Sequence, residues 1–61
     1  MELDEAEVYG TVLRETEDAI LVDFGHDEVW LPKSHVSDYP DVEESGEITM
    51  SYWLALDKEL I

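Results

Sequence analysis

Apolar residues recur at every second position in three short segments of this 61-residue chain, and turn-forming residues follow each segment. This two-residue period is typical of β-strands, because successive side chains of a strand point to opposite faces of a sheet. It predicts strands over residues 7–16, 19–24 and 28–31, with the first two paired as an antiparallel hairpin. Pro32 lacks an amide proton and is predicted to end the third strand.

The second half of the chain is less regular. Residues 33–36 are predicted to form a single tight helical turn, and residues 37–45 a polar loop. A fourth strand is predicted over residues 47–50. Ser51 is a suitable N-cap for a short helix over residues 52–59, because a serine hydroxyl can accept a hydrogen bond from the first turn. A continued strand is the alternative, since apolar residues also alternate there.

The predicted helix has an apolar face formed by Trp53, Leu56 and Leu60. Residues three and four positions apart share one side of a helix. A helix of two turns is marginal alone and must be held by packing. The sequence therefore predicts that Trp53 is buried, and that replacing it with alanine costs about 3 kcal/mol or more.

Together these elements predict one mainly β domain over residues 1–61. Its expected form is a small bent antiparallel sheet, or an SH3-like or OB-like barrel, with a short C-terminal helix. The chain has no cysteine, which excludes disulfides and cysteine-based zinc sites and favours the cytoplasm over secretion. Residues 1–5 are acidic and unlike a signal peptide, and the longest aliphatic run, Ala19–Val22, cannot span a bilayer.

Charge is the extreme feature of the composition. Seventeen acidic and three basic residues give a formal net charge of −14. Such a chain is repelled by nucleic acid and by anionic membranes, so we expect a basic protein as its partner. A small surface dense in carboxylates can occupy a DNA-binding groove in place of DNA. The acidic residues predicted to meet the partner are Glu15, Glu17, Asp18, Asp38, Asp41, Glu43 and Glu44.

Three stretches of the chain resemble a group of short proteins of phages and other mobile elements. They are residues 16–22 (TEDAILV), 28–36 (EVWLPKSHV) and 51–55 (SYWLA). In that group an ALLV-like strand precedes a W-I-P-K-S-Q segment and a terminal EWLA helix. This chain departs from the pattern at Asp18, His35 and Tyr52, where the group has Lys, Gln and Glu. The resemblance implies a mobile-element context and no particular mechanism.

A weaker likeness links Gly10–Val12 and Val22–Gly25 to S1-type OB domains. Those domains bind RNA, which the net charge of this chain disfavours. The likeness therefore supports a small β-barrel and not an RNA-binding function.

A second candidate site is the segment around Trp30. An aromatic ring, a cation and an imidazole can together hold a nucleotide or another small anion, and Trp30, Lys33, Ser34 and His35 supply them. The structural alternative is that Trp30 packs on the C-terminal helix and that Ser34 caps the tight turn.

No catalytic or metal site is predicted, and no cofactor. The spacing of His26 and His35 matches no metal motif, and adjacency of Ser34 and His35 does not make a catalytic triad.

The leading hypothesis is a non-catalytic accessory factor of a mobile element that inhibits a basic nucleic-acid-handling or defence protein. One alternative is a module that binds a small ligand or nucleotide. Another is an acidic domain of a salt-adapted organism, whose carboxylates serve only solvation. A homodimer through an exposed strand edge stays open beside all three.

Overall fold

The computed structural model describes residues 5–61, so most of the acidic segment at residues 1–5, which was expected to be a solvated lead-in, lies outside the described part of the chain, and its last residue, Glu5, instead begins the first strand. Five antiparallel strands form a single sheet, and a short helix follows them. The strands are β1 (Glu5–Glu15), β2 (Ala19–Asp23), β3 (Glu28–Pro32), β4 (Val36–Asp38) and β5 (Ser45–Ser51), and the helix is α1 (Tyr52–Asp57). The prediction of a mainly β fold with a C-terminal helix is confirmed. The strand order is β3-β2-β1-β5-β4, and the sheet is bent and open at β3 and β4 instead of closed into a barrel.

The central strand β1 belongs to both halves of the bent sheet. Its first half pairs with β5, from Glu5 opposite Ser51 to Thr11 opposite Ser45. Its second half pairs with β2, and the register shifts between Val12 and Arg14. An extra residue in one strand bends that strand and increases its twist. The irregularity in β1 therefore lets one sheet curve around its own core.

The inner face of the sheet carries the core, as the two-residue period predicts. Its buried strand residues are Val12, Ile20, Val22, Leu31, Val36, Ile48 and Met50. Leu54 and Ala55 of α1 complete the cluster, and Val8, Phe24 and Val29, which alternate with Val12, Val22 and Leu31 on the same strand faces, are half-buried against it. The two-residue period therefore groups the inner-face residues of all four predicted strands correctly.

The prediction of a helix is confirmed, and the alternative of a continued strand is wrong. The predicted packing face of the helix is also wrong. Leu54 and Ala55 are buried, whereas Trp53 is 53% exposed and Leu56 is 50% exposed. Trp53 and Leu56 do share a side of the helix, and that side faces outward. The helix has only six residues and follows β5 directly, so its rotation is set by the end of that strand and not by its own apolar spacing.

The last residues turn back under the helix instead of extending it. Glu59 has a positive φ of 61°, and the Leu60 amide donates to the carbonyl of Ala55 at 2.8 Å. A left-handed residue just after a helix commonly ends it in this way. Leu60 therefore reaches the core from beyond the helix. Within residues 5–61, no helix has the length and apolar character needed to cross a membrane.

Three local predictions need correction. The predicted loop over residues 37–45 contains most of β4, which pairs with β5 through Val36 opposite Met50 and Asp38 opposite Thr49. This edge strand has three residues and two of them are exposed and polar, so it carries no periodic signal. Ser51 does stand at the N-cap position, but its side chain makes no capping hydrogen bond. The tight turn is a 3-10 turn over Lys33–His35, and no side chain, Ser34 included, caps it.

Candidate functional site

The outer face of the sheet carries a group of carboxylates that the sequence analysis did not single out. Glu5 and Glu7 point outward from β1, and Glu47 points outward from β5; all three are exposed. We call these three residues the outer strip. Alternate residues of a strand are about 6.7 Å apart, and diagonal neighbours on paired strands about 7–8 Å. The same alternation that marks the inner face could have identified this group, because its members occupy the complementary positions.

The acidic residues that were predicted to meet a partner lie in two surface groups. Glu15, Glu17 and Asp18 surround the turn between β1 and β2. The second group, at the end of β4 and in the following loop, consists of Asp38, Asp41, Glu43 and Glu44. All seven are exposed.

Hydrogen bonds join the loop after β4 to the second half of β1. The Tyr39 hydroxyl donates to Glu15 Oε2 at 3.0 Å. Val12 exchanges backbone hydrogen bonds with Glu43 and Glu44, at 2.6 and 3.1 Å. Glu15 of the first group and Glu43 and Glu44 of the second are therefore held on the same part of β1.

Glu15 is engaged within the protein. Lys33 Nζ lies 2.6 Å from Glu15 Oε2, the same oxygen that accepts from Tyr39. The hydrogen bond from Lys33, followed by that from Tyr39, lowers the pKa of Glu15. The hydrogen bond to Glu15 correspondingly raises the pKa of Lys33. One predicted partner-binding residue and one predicted ligand-binding residue thus pair with each other and tie β1 to the 3-10 turn.

The pairing predicts how a Lys33→Met variant responds to pH. The low pKa of Glu15 contributes stability above its ordinary value of 4.5, and this contribution is lost as the pH falls through the lowered pKa. The raised pKa of Lys33 contributes stability below 10.5, which is lost as the pH rises through the raised value. Urea titrations should therefore show the variant less stable than wild type between these limits, with a shrinking difference outside them.

A Lys58→Met variant is the matched control, since it also removes one positive charge from a strongly acidic protein. Its free energy of unfolding should fall because the charge repulsion increases, but its difference from wild type should not follow the pH profile of the Glu15–Lys33 pair. Identical profiles for the two variants would contradict a specific role for the contact.

A cleft lies between the 3-10 turn, β4 and the outer ends of β1 and β5. Its volume is about 350 Å³, and it is lined by Glu5, Ser34, His35, Val36, Ser37 and Ser51. We call it the hydroxyl cleft, after its three serines. The Ser37 hydroxyl lies 3.1 Å from Glu5 Oε2 and 3.5 Å from the carbonyl oxygen of Thr49. The Ser51 Oγ is buried and has no hydrogen-bond partner in the described part of the chain.

An aromatic contact stands beside the hydroxyl cleft. The His35 and Trp53 rings meet edge to face, with centroids 4.7 Å apart and planes at 77°. Trp53 stays about half exposed in this arrangement. Because Trp53 points outward near the hydroxyl cleft, this large aromatic side chain can contribute to a surface site instead of to the core.

The four residues of the second predicted site do not converge. Ser34 and His35 line the hydroxyl cleft, whereas Lys33 bonds Glu15. Trp30 is 47% exposed and lies on the outer face of β3, opposite Leu21 of β2. It faces away from the core that includes α1, so the alternative in which Trp30 packs on the helix is wrong.

A second cleft of about 230 Å³ lies between the sheet and the C-terminal residues. Tyr9 and Phe24 line it on the sheet side, Lys58 and Leu60 line it on the other side, and His26 is a further lining residue. Throughout residues 5–61, no three His, Asp or Glu side chains are grouped so that they could hold a metal ion.

No family model, curated protein or solved structure matches this chain.

Proposed function

We propose that this protein is a non-catalytic acidic binding protein that occupies the nucleic-acid-binding surface of a basic protein and thereby inhibits it. The supporting observation is its charge density. The net charge of −14 amounts to roughly one negative charge for every 2–3 Å of the 32 Å long axis, against about 1.7 Å in duplex DNA. A groove that attracts DNA electrostatically should attract this protein for the same reason.

The sheet adds geometric order to this charge. The outer strip is carried by two paired strands, so the spacing of the backbone positions that bear its carboxylates is fixed before a partner binds. Groups on an ordered backbone lose less conformational entropy on binding than groups on flexible segments. Carboxylates spaced in this way on a domain of this size can replace a short run of phosphates.

The proposal includes a cellular setting. The resemblance of residues 16–22, 28–36 and 51–55 to short phage proteins favours a mobile-element factor, with a defence protein as the target. Such a target lies in the cytoplasm of the host, and the absence of cysteine from this chain favours the same compartment. The nucleotide-binding alternative draws less support from the geometry, because Lys33 bonds Glu15 and Trp30 lies on another surface.

The proposal is tested by capture and displacement. Immobilised protein is incubated with a bacterial extract at about 50 mM salt and eluted with duplex DNA or with about 200 mM salt, a step that strongly weakens phosphate-type contacts. Mass spectrometry should identify the same basic nucleic-acid-binding proteins in both eluates. Captured proteins that DNA does not displace would contradict the proposal. The absence of any capture would favour the alternative of a merely solvated acidic surface.

Two variants with equal charge separate site from net charge. One carries Glu5→Gln, Glu7→Gln and Glu47→Gln in the outer strip. The other carries Asp27→Asn, Glu28→Gln and Glu59→Gln, exposed positions that do not belong to that strip. Each loses three negative charges, so a larger loss of capture by the first variant assigns the contact to the outer strip.

A further inference from the structure

We propose that the hydroxyl cleft binds a primary ammonium group, the side chain of a lysine on the basic partner. The inference rests on the proposed function and names the anchor by which the partner is held. The cleft is lined by a carboxylate, three hydroxyls, an imidazole and Val36, with no lysine or arginine among its lining residues. A site rich in hydrogen-bond acceptors in a protein of net charge −14 selects a cation with several donors.

Glu5 supplies the charge. Among residues 5–61, only its Oε2 is engaged, by the Ser37 hydroxyl at 3.1 Å. A carboxylate offers about four lone-pair positions, so most of its accepting capacity stays available to a ligand. The bond from Ser37 also fixes the orientation of the carboxylate toward the cleft.

Ser51 supplies the independent observation. It stands directly opposite Glu5 in the ladder between β1 and β5, so the two side chains are neighbours on one face of the sheet. Its Oγ is buried, makes no hydrogen bond to any residue within 5–61 and does not cap α1. A buried hydroxyl without a partner is destabilising, and such groups in native proteins call for an explanation. Rotation about the Cα–Cβ bond of Ser51 would turn this oxygen into the cleft, where an ammonium donor beside Glu5 would give it its missing partner.

The type of acceptor in the cleft favours lysine over arginine. Apart from the Glu5 carboxylate, its hydroxyl acceptors are single oxygens carried by separate elements, β4, β5 and the 3-10 turn. An ammonium has three donors that can point to separate acceptors, whereas a guanidinium presents a flat fork suited to a planar partner. The exposed indole of Trp53, held against His35, offers an apolar and π-rich surface for the aliphatic part of the lysine side chain.

The probe is the peptide acetyl-Gly-Lys-Gly-amide, titrated into labelled protein and followed by amide NMR shifts. We expect saturable shifts at Ser34, His35, Ser37 and Ser51, and none when the lysine is acetylated, because acetylation removes the charge. Glu5→Gln should weaken binding by about tenfold or more, as expected for loss of a charge-assisted hydrogen bond. Glu47→Gln removes the same charge from the neighbouring outer surface and should weaken binding far less.

A Ser51→Ala variant distinguishes a binding role from a structural one. It should weaken binding of the peptide while leaving the melting temperature unchanged or higher, because it deletes a hydroxyl that has no partner in the free protein. A lower melting temperature together with unchanged binding would overturn the assignment of Ser51.

Further outcomes separate the proposal of a lysine-binding cleft from the proposed function. Shifts that spread over the surface without saturating, or equal losses in Glu5→Gln and Glu47→Gln, would overturn the lysine cleft and leave the DNA-displaceable capture standing. Binding of free spermidine without binding of the peptide would show a site for small amines and overturn the partner-lysine assignment. Saturable peptide binding in a protein that captures no DNA-displaced partner would support the cleft and contradict the proposed function.

Discussion

Replacing Leu54 with alanine is expected to lower the free energy of unfolding by about 2–5 kcal/mol. Leu54 is 2% exposed and packs in the central cluster, so its truncation removes apolar contacts and leaves a cavity. A domain of this size has a total stability of only about 3–5 kcal/mol, so the variant is expected to lose a large part or all of its stability at room temperature. The effect follows from the position of Leu54 at the contact between α1 and the sheet.

The neighbouring residue provides the matched comparison. Trp53 is larger, but it is 53% exposed, and its described aromatic contact is with His35 at the surface. Trp53→Ala is therefore expected to cost about 1 kcal/mol, the order of one aromatic pair. Urea melts followed by far-ultraviolet circular dichroism would measure both variants. If Trp53→Ala proves as damaging as Leu54→Ala, the helix packs through the face that its apolar spacing predicts.

A methyl group at Gly10 is expected to cost about 1–3 kcal/mol by overpacking the core. A Cβ there would lie 2.7 Å from Val22 Cγ1, 3.0 Å from Phe24 Cδ1 and 3.1 Å from the backbone oxygen of Asp23. Val22 is fully buried and branched at Cβ, so it has little freedom to move aside. Glycine is required at this position by the close approach of β1 and β2.

Gly46 is the natural control, because it stands directly opposite Gly10 in the ladder between β1 and β5. A Cβ at Gly46 would meet only Pro40, at 3.5 Å or more, which is ordinary contact. Gly46→Ala is therefore expected to be neutral or to stabilise the protein by about 0.4–1 kcal/mol, by restricting the unfolded chain. The melting temperature of Gly10→Ala should fall, whereas that of Gly46→Ala should stay the same or rise. Equal losses in the two variants would refute the steric explanation.

The period of apolar residues was enough to predict β1, β2, β3 and β5, because the buried residues of these strands occupy alternating positions. It could not predict β4, whose three residues are placed by pairing with β5 and not by their own pattern. It also could not orient α1. In a six-residue helix the apolar positions are too few to define one face, and the direction in which β5 ends decides that Leu54 is buried instead of Trp53.

The sequence was enough to predict the chemical character of the candidate site but not which residues come together in it. Composition alone indicates a carboxylate-rich surface, and the alternation of β1 and β5 would have placed Glu5, Glu7 and Glu47 together on it. The hydroxyl cleft depends on a different type of information. Its lining residues lie near position 5, between positions 34 and 37, and at position 51, and only the folded sheet brings these segments together.

The central place of β1 also bears on how fast this chain can fold. Its hairpin with β2 joins residues that are close in sequence, whereas Glu5 pairs with Ser51, 46 positions away. Closing a long loop costs entropy before its contacts form, and topologies dominated by distant pairings fold slowly, in milliseconds to seconds. The hairpin is expected to assemble first, and docking of β5 on the free edge of β1 to limit the rate. Because the hydroxyl cleft needs both strands, it becomes complete only at that last step.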